Sequence, residues 1–221
     1  MDHYFTNNEN LKSEIKNLSY SYNGYDFIFM SDNGVFSKTK IDYGSKLLLE
    51  TYLKNTSIKG KTLDVGCGYG FIGLVLAKVL QVPITMVDVN KRALHLAKRN
   101  ADNLKLNVNI IESNGYENIS EKYDVIITNP PVRAGKKVLL DILVNAKEYL
   151  NENGELWYVL RKDQGAKSIA KFLNEHYKIE NVKKSNGFYI FSCKKYWQLP
   201  VISAIIVNCW RVYFYKFVKV V

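Results

Sequence analysis

Closely spaced glycines give the first indication of chemistry in this chain. The stretch TLDVGCGYGFIG, Thr62 to Gly73, contains four of them directly after a short apolar run. Glycines at such spacing let a backbone approach a ligand closely, because no Cβ atom stands in the way. The pattern Gly68-x-Gly70-x-x-Gly73 matches the dinucleotide fingerprint, and Asp88 follows about twenty residues later, where that fingerprint has its ribose-binding acid. One hypothesis is therefore a nicotinamide-dependent oxidoreductase.

A second alignment of the same stretch, Asp64-x-Gly66-x-Gly68-x-Gly70, resembles the first motif of class I S-adenosylmethionine (AdoMet) methyltransferases. In that motif an acid ends the strand and alternate glycines follow it. The charge of Asp64 would attract the cationic amine of a methionine group and repel a pyrophosphate, so it favours AdoMet. The resemblance implies that Asp88 accepts hydrogen bonds from ribose hydroxyls. The other implied cofactor contacts are Gly66, Cys67, Gly68, Gly70, Val89, Asn114 and Asn129.

The stretch VIITNPPV, Val125 to Val132, resembles the Asn-Pro-Pro-aromatic motif of methyltransferases that act on amino nitrogens. An exocyclic amine on a base is a weak nucleophile, because its lone pair is delocalised into the ring. Two acceptors for its hydrogens, the side-chain oxygen of Asn129 and the backbone carbonyl of Pro130, would pull it toward tetrahedral geometry. The lone pair would then point at a methyl donor. Asn129 and Pro130 are therefore the predicted catalytic residues.

The fourth position of this motif is Val132, where the family typically has a Tyr or Phe that stacks on the flipped base. Stacking contributes about 1–3 kcal/mol per base. Phe36, in the loop before the first predicted core helix, is the candidate replacement. Basic residues follow the motif, where a phosphate backbone would pass, and Lys38, Lys40, Arg161 and Lys162 are candidates to extend that surface. The predicted substrate contacts are Phe36, Pro131, Val132, Arg133, Lys136 and Lys137.

Alternating strands and helices must position these residues. Residues 15–30 alternate between apolar and polar side chains around Asn23-Gly24, which indicates a hairpin. After Gly60 strands and helices alternate, which predicts a mostly parallel, doubly wound sheet. A helix is predicted for KVLLDILVNAKEYL, which ends at Leu150, and a strand for ELWYVL, which begins at Glu155. A further helix and a closing antiparallel hairpin follow. Ligands of such sheets bind beyond the carboxyl ends of the strands, where both motifs lie.

From about Tyr4 to Lys195 the sequence resembles the RsmC-like branch of class I methyltransferases. The stretches that carry the resemblance are DNGVFSKTKIDYGSKLLL, LDVGCGYGFIGLVLAK, MVDVN, IITNPPVRAGKK and NGELWYVLRKDQGAKS. It implies a Rossmann-like α/β fold with a mostly parallel seven-stranded sheet, an antiparallel C-terminal strand and an N-terminal hairpin. It also implies AdoMet as the cofactor, with Gly44 and Ser45 near its carboxylate. The implied acceptor is guanine N2 of small-subunit (16S) ribosomal RNA.

The composition bears on partners and location. The chain has 31 Lys and Arg against 21 Asp and Glu, a formal charge of +10, which favours a polyanion such as ribosomal RNA or the small ribosomal subunit. Three cysteines without CxxC spacing and three scattered histidines indicate no disulfide framework and no metal site, which suits the cytoplasm. The N-terminus shows no signal peptide. Adenine N6, a protein glutamine and a catalytically idle RNA-binding module remain alternative functions, and the oligomeric state is not predicted.

Three segments are predicted from these patterns. Residues 1–45 form the hairpin and a substrate and cofactor loop, residues 46–195 form the methyltransferase domain, and residues 196–221 form a hydrophobic tail. The longest uncharged stretch of the tail, 196–210, is shorter than the roughly twenty residues that a membrane-spanning helix needs. Stable membrane association is therefore not expected, and no chemistry is assigned to the tail.

Overall fold

The computed structural model describes residues 11–57 and 60–195, so the predictions for the tail lie outside the described residues. Fourteen strands and helices follow one another in these two ranges. In chain order they are β1 (Lys16–Tyr22), β2 (Tyr25–Ser31), α1 (Tyr43–Asn55), β3 (Thr62–Val65), α2 (Phe71–Leu80), β4 (Ile84–Asp88), α3 (Lys91–Leu104), β5 (Asn109–Glu112), β6 (Tyr123–Thr128), α4 (Lys136–Asn145), β7 (Leu150–Arg161), α5 (Ala166–Leu173), β8 (Tyr177–Ser185) and β9 (Phe188–Lys195).

Seven of the strands form one sheet in the order β5-β4-β3-β6-β7-β9-β8. Strand β9 runs antiparallel to both of its neighbours, and the other adjacent pairs are parallel. The chain extends from β3 outward to β5 and then returns to place β6 on the other side of β3. This reversal of strand order opens a crevice beyond the carboxyl ends of β3 and β6. The predicted α/β sheet with an antiparallel C-terminal strand is confirmed.

Hydrophobic side chains pack on both faces of the sheet. Val125 and Ile127 of β6 belong to the cluster that includes residues of α1, α2 and α3, whereas Ile126 belongs to the cluster that includes residues of α4 and α5. The split follows from strand geometry, because successive side chains point to opposite faces. All three residues are fully buried. Strand β6 is therefore held from both sides, and it positions the Asn129 motif that follows it.

The strands β1 and β2 form a separate hairpin with the predicted Asn23-Gly24 turn. Its buried face packs against α2, where the rings of Tyr20 and Phe29 lie 5.0 and 5.5 Å from the ring of Phe71. These three rings belong to the same hydrophobic cluster as the helices on that face of the sheet. The hairpin therefore covers one side of the sheet instead of extending it.

The loop between β2 and α1, residues 32–42, is fastened to α3. Arg92 Nη1 lies 3.3 Å from Asp32 Oδ2, and Asn90 Nδ2 donates a hydrogen bond of 2.9 Å to Gly34 O. Burial by itself would raise the pKa of Asp32, but hydrogen bonds to its carboxylate and the charge of Arg92 lower that pKa below its usual value. Hydrogen bonds from Glu14 N, Ser13 Oγ and Asn33 N, with a smaller contribution from Arg92, therefore keep Asp32 ionised at the start of this loop.

Helix α4 is shorter than its apolar spacing predicts. It ends at Asn145, a 3-10 turn covers Ala146–Glu148, and Leu150 begins β7 by pairing with Tyr123. The predicted end of the helix at Leu150 is therefore wrong. The predicted strand over 155–160 is present, but it begins five residues earlier than predicted. Leu150 is buried in the same cluster as the α4 leucines, so the apolar pattern is satisfied by either conformation. Periodicity alone cannot locate the boundary between them.

Two further observations concern partners of the described residues. No helix in residues 11–57 and 60–195 has the length and apolar character that crossing a membrane requires. The same residues bring together no group of three or more His, Cys, Asp or Glu side chains that could hold a metal ion. Cys67 and Cys193 are both buried as free thiols.

Candidate functional site

A cavity of about 700 Å³ lies beyond the carboxyl ends of β3, β4 and β6. This volume is within the range of about 300–1,000 Å³ that is usual for small-molecule sites. The predicted cofactor contacts that line it are Gly66, Gly68, Asp88, Val89, Asn114 and Asn129. The predicted catalytic and substrate residues that line it are Phe36, Asn129, Pro130, Pro131, Val132 and Arg133. The structure therefore brings the glycine motif and the Asn-Pro-Pro motif to one cavity.

The candidates Gly44, Lys38, Lys40 and Lys162 lie outside the cavity wall. Six of the predicted cofactor and substrate contacts also lie outside it. They are Ser45, Asp64, Cys67, Gly70, Lys136 and Lys137. The side chains of Ser45 and Asp64 are buried directly behind the wall, where each supports a residue described below. Lys136 and Lys137 are exposed in the first turn of α4. Direct ligand contacts by these six residues stay predictions.

The glycine loop after β3 presents bare backbone to the cavity. Gly66 and Gly68 have φ values of +73° and +57°, in the left-handed region that favours glycine. A Cβ atom placed on either residue would meet no other atom within 4 Å. The loop is held from below, because Gly66 N and Cys67 N donate to Val87 O at 2.8 and 3.0 Å. The space above both glycines is therefore open to a ligand.

Two carboxylates support this loop. Asp64 is 2% exposed, and its Oδ2 accepts a hydrogen bond of 2.9 Å from Gly73 N. Burial, with a smaller contribution from the charge of Asp88, raises the pKa of Asp64 to about 7 against the opposing effect of the Gly73 hydrogen bond. Burial also raises the pKa of Asp88, whose oxygens accept from Gly68 N at 2.8 Å and Asn90 N at 2.9 Å. Together these carboxylates favour a cation over a phosphate group at this end of the cavity.

Asn129 follows the last residue of β6, and its amide is held in one orientation. The Nδ2 atom donates hydrogen bonds to Asp42 Oδ2 at 3.1 Å and to Ser45 Oγ at 2.8 Å. An ionised carboxylate only accepts hydrogen bonds, so Asp42 requires the nitrogen of the amide on its side. The amide oxygen of Asn129 is consequently left on the side away from α1, and Asn129 lines the cavity.

Asp42 itself was not among the predicted site residues. Its Oδ2 also accepts a hydrogen bond of 2.7 Å from Ser45 N, which makes Asp42 the N-cap of α1. The helix therefore begins at Tyr43. An acidic residue three positions before a helical backbone N–H is the signal that would have identified the cap. Its contact with Asn129 has no sequence signal.

The two prolines after Asn129 continue into a tight turn. Pro130 O accepts a hydrogen bond of 2.9 Å from Val132 N, and Pro131 O accepts one of 2.9 Å from Ala134 N. A carbonyl oxygen has two lone pairs, so the Pro130 carbonyl keeps one for a ligand. The 3-10 turn Val132–Ala134 and the proline rings fix the direction of that carbonyl.

The far wall of the cavity is formed by β7 and β9. Within the described residues, Phe36 and Phe188 are the aromatic side chains that line the cavity, and Arg133 and Arg161 are its basic ones. Phe188 follows the hairpin turn Asn186-Gly187, and no local pattern distinguishes it from other aromatic residues of the chain. Sequence reasoning therefore missed it.

The family model described as methyltransferase small domain matches residues 26–192 of this chain. Protein YbxB of Bacillus subtilis (strain 168) is 42% identical over 199 residues, which cover 88% of this chain and 98% of YbxB. Ribosomal RNA small subunit methyltransferase C of Actinobacillus pleuropneumoniae serotype 7 (strain AP76) is 33% identical over 180 residues, which cover 79% of this chain. This match covers 54% of the relative, so the chain spans about half the length of that protein.

The fold is also found among solved structures. The T. thermophilus 16S rRNA N2 G1207 methyltransferase (RsmC), in complex with AdoMet and guanosine, superimposes with a TM-score of 0.75 at 22% identity. The superposition covers 84% of this chain and 52% of that structure. These matches favour the methyltransferase hypothesis over the nicotinamide one. The chain belongs to the methyltransferase small domain family and is an RsmC-like class I methyltransferase.

Proposed function

We propose that this chain transfers a methyl group from AdoMet to guanine N2 of small-subunit (16S) ribosomal RNA in the cytoplasm. The observation that carries the proposal is the orientation of Asn129. Asp42 and Ser45 hold its amide nitrogen, which leaves its amide oxygen as an acceptor for an amino group. Pro130 lines the same cavity, and the lone pair that its carbonyl keeps beside the Val132 hydrogen bond would provide a second acceptor. This pair of acceptors suits an NH2 group and gives no advantage to a hydroxyl or carbon acceptor.

The residues at the other end of the cavity fit AdoMet. AdoMet supplies a methyl group that is activated by a positively charged sulfur. The open backbone of Gly66 and Gly68 accommodates the cofactor without displacing a side chain. Asp88 lines the cavity and retains acceptor capacity for ribose hydroxyls, because each carboxylate oxygen can accept more than one hydrogen bond. The nearby carboxylate of Asp64 favours the cationic methionine amine.

The chemical contribution of this chain is orientation and electrostatic stabilisation. An amino group in the cavity donates one N–H to Asn129 Oδ1 and the other to Pro130 O, which directs its lone pair toward the cofactor end of the cavity. As the N–C bond formed, the bond between the methyl group and the sulfur of AdoMet would break and the sulfur would leave as a neutral thioether. The nitrogen would become cationic, and both oxygens would stabilise that charge. Among the described residues that line the cavity, none is His, Cys or Lys. A protonated, methylated amine on a base is strongly acidic, so its excess proton can pass to water after methyl transfer without a dedicated base.

Two observations support RNA as the substrate. The curated relatives include several proteins named ribosomal RNA small subunit methyltransferase C, and the superimposed T. thermophilus structure contains guanosine. The chain carries a formal charge of +10, and Arg133 and Arg161 line the substrate end of the cavity. Arginine pairs readily with phosphate groups. Adenine N6 and protein glutamine amides are the alternative acceptors for the same pair of oxygens.

The experiment compares wild type with Asn129→Ala, using small ribosomal subunits from a strain that lacks the gene for this chain. We expect wild type to transfer labelled methyl groups from AdoMet to these subunits and Asn129→Ala to be slower by about 10²-fold or more, because a preorganised electrostatic partner is lost. Calorimetry should show that Asn129→Ala still binds AdoMet, with a loss of affinity far smaller than its loss of rate. Asn181→Ala is the control, because Asn181 is exposed in β8.

Nucleoside mass analysis of the product identifies the acceptor. N2-methylguanosine supports the proposal, whereas N6-methyladenosine or a methylated protein would assign the alternative acceptors. Undiminished methyl transfer by Asn129→Ala would contradict the mechanism. Binding of NADH in place of AdoMet would support the oxidoreductase hypothesis instead.

A further inference from the structure

We infer that Phe188 supplies the surface on which the target base stacks, in place of the aromatic residue that the family motif has at the position of Val132. The inference rests on the proposed transfer of a methyl group to a base. A base that enters the cavity needs an apolar face beside it as well as acceptors for its amino group. Val132 is half-buried and has no π-face, so that surface must come from another element.

Phe188 lies close to the contacts that orient Asn129. A Cβ atom placed on Gly44 would lie 2.8 Å from Phe188 Cε1 and 3.1 Å from Asp42 Oδ2. Asp42 Oδ2 in turn lies 3.1 Å from Asn129 Nδ2. Because Gly44 has no side chain, the Phe188 ring can approach the first turn of α1 at this point. Phe188 therefore lines the same cavity as the Asn129 amide, beside the residues that hold it.

The Phe188 ring is held in place by α1. Its centroid lies 5.4 Å from that of the Tyr43 ring, at an interplanar angle of 56°. The hydroxyl group of Tyr43 lies 2.9 Å from Ser185 Oγ and accepts a hydrogen bond of 3.0 Å from Asn186 Nδ2. The β8–β9 turn is thus tied to the helix whose N-cap orients Asn129. A stacking surface needs such rigidity, since ordering a free side chain on binding would reduce the affinity.

Arg161 adds a positive charge beside this ring. Its Cζ atom lies 5.6 Å from the centroid of Phe188, and both residues line the cavity. Guanidinium and aromatic planes both stack on unpaired bases, and a guanidinium group also pairs with phosphate. The combination is suited to a base that is still attached to an RNA backbone.

Phe36, the predicted replacement, belongs to the loop that is fastened to the start of α3 and not to α1. Its loop is fastened at Gly34 to Asn90, which follows Asp88 by two residues and caps α3. Phe36 is therefore tied to the end of the cavity that fits the ribose of AdoMet. Phe188 instead packs against the α1 turn that holds Asn129. The position of the acceptor pair favours Phe188 as the stacking residue.

The test measures methyl transfer to the same ribosomal subunits by Phe188→Leu, Phe188→Tyr and wild type. We expect Phe188→Leu to lower kcat/KM for the subunits by about 5- to 150-fold, because this factor corresponds to the loss of one stacked base. Most of the change should appear as an increase in KM. Phe188→Tyr keeps the aromatic face and should stay within about threefold of wild type. All variants should bind AdoMet equally. The matched control is Phe172→Leu, because Phe172 is an exposed aromatic residue of α5.

The outcomes separate this inference from the proposed function. Wild-type kcat/KM in Phe188→Leu, with methyl transfer intact, would overturn the role of Phe188 and leave the proposed function standing. An equal loss in Phe188→Tyr and Phe188→Leu would also overturn it, because the loss would then reflect packing and not stacking. No methyl transfer by wild type would remove the proposed function and this inference together. Melting temperatures of all variants identify any loss that comes from unfolding.

Discussion

The hydrogen bond between Asp42 and Asn129 can be tested by placing a second negative charge at position 129. The variant Asn129→Asp is nearly isosteric with wild type, but it places a carboxylate oxygen where Nδ2 now lies, 3.1 Å from Asp42 Oδ2. A donor is thereby replaced by a second acceptor of like charge. Two carboxylates at such a distance cannot both stay ionised without a cost, and the pKa of one of them rises strongly.

The size of this effect follows from the distance and the surroundings. Two unit charges 4 Å apart repel by about 4 kcal/mol at an effective dielectric constant of 20. Both residues are half-buried beside a cavity, so we halve this figure for solvent screening, to about 2 kcal/mol. Each kcal/mol lowers the melting temperature of a domain of 150–250 residues by about 2–4 °C. The variant should therefore melt about 4–8 °C below wild type at pH 8.

The direction of the pH dependence distinguishes charge repulsion from simple loss of packing. In Asn129→Asp one carboxyl has a higher pKa in the folded than in the unfolded protein. Its stability contribution is therefore intact at acidic pH and is lost as the pH rises through the raised pKa. The difference in melting temperature between variant and wild type should shrink toward zero near pH 4, where a protonated carboxyl can again donate to its partner. Thermal melts at pH 4, 6 and 8 measure this trend.

The double variant Asp42→Asn with Asn129→Asp is the control. It exchanges the amide and the carboxylate, so a donor again faces an acceptor, and asparagine remains a good N-cap for α1. We expect it to recover most of the melting temperature at pH 8. A pH-independent deficit in Asn129→Asp, or no recovery in the double variant, would refute the orientation that we assign to the Asn129 amide.

Two further predictions concern the cofactor end of the cavity. Because burial raises the pKa of Asp64 to about 7, wild type loses stability as the pH rises from about 4 through 7. Asp64→Asn keeps an acceptor for Gly73 N without the buried charge. Its free energy of unfolding should exceed that of wild type by up to about 4 kcal/mol at pH 8 and by little at pH 4. Denaturant titrations at both pH values measure this, and a pH-independent difference would contradict it. Gly68→Ala should weaken AdoMet binding at least tenfold in calorimetry, because its methyl group enters the open space above the loop. Gly24→Ala is the control, because Gly24 has a similar positive φ and similarly open surroundings in the β1–β2 turn. It should lose comparable stability but keep its affinity for AdoMet. Equal AdoMet affinities of the two variants would argue against a cofactor above Gly68.

Local patterns in the sequence predicted most of the fold. The turns at Asn23-Gly24 and Asn186-Gly187 both adopt positive φ values, as that dipeptide favours. Asn90 caps α3, since its Oδ1 accepts from Arg92 N and Ala93 N, and asparagine is a favoured residue at that position. Such features depend on neighbours in the chain, so they can be read from a few consecutive residues. The end of α4 could not, because Leu150 is buried whether it belongs to a helix or a strand.

Contacts between segments that are distant in the chain could not be predicted from the sequence. Asp42 and Asn129 are 87 residues apart in the chain, and Tyr43 and Asn186 are 143 residues apart. Which helix start meets which strand end depends on the order of strands in the sheet and not on any spacing. The sequence therefore predicted the Asn129 motif and placed Ser45 in the site, but it predicted neither the contact of Asp42 with Asn129 nor Phe188 in the cavity. Phe36 was the candidate because it lies in the loop before the first predicted core helix, whereas Phe188 belongs to β9 and lines the cavity because of the order of strands in the sheet.

The position of β9 has a consequence for synthesis and assembly of the protein. Although β9 comes last of the strands in the described chain, it lies inside the sheet between β7 and β8. Until a ribosome has released residues 188–195, β7 presents an unpaired edge, which is the kind of surface that associates wrongly with other chains. The same segment carries Phe188. A nascent or truncated chain without this strand would therefore lack the Phe188 side of the cavity and the strand that joins β8 to the rest of the sheet.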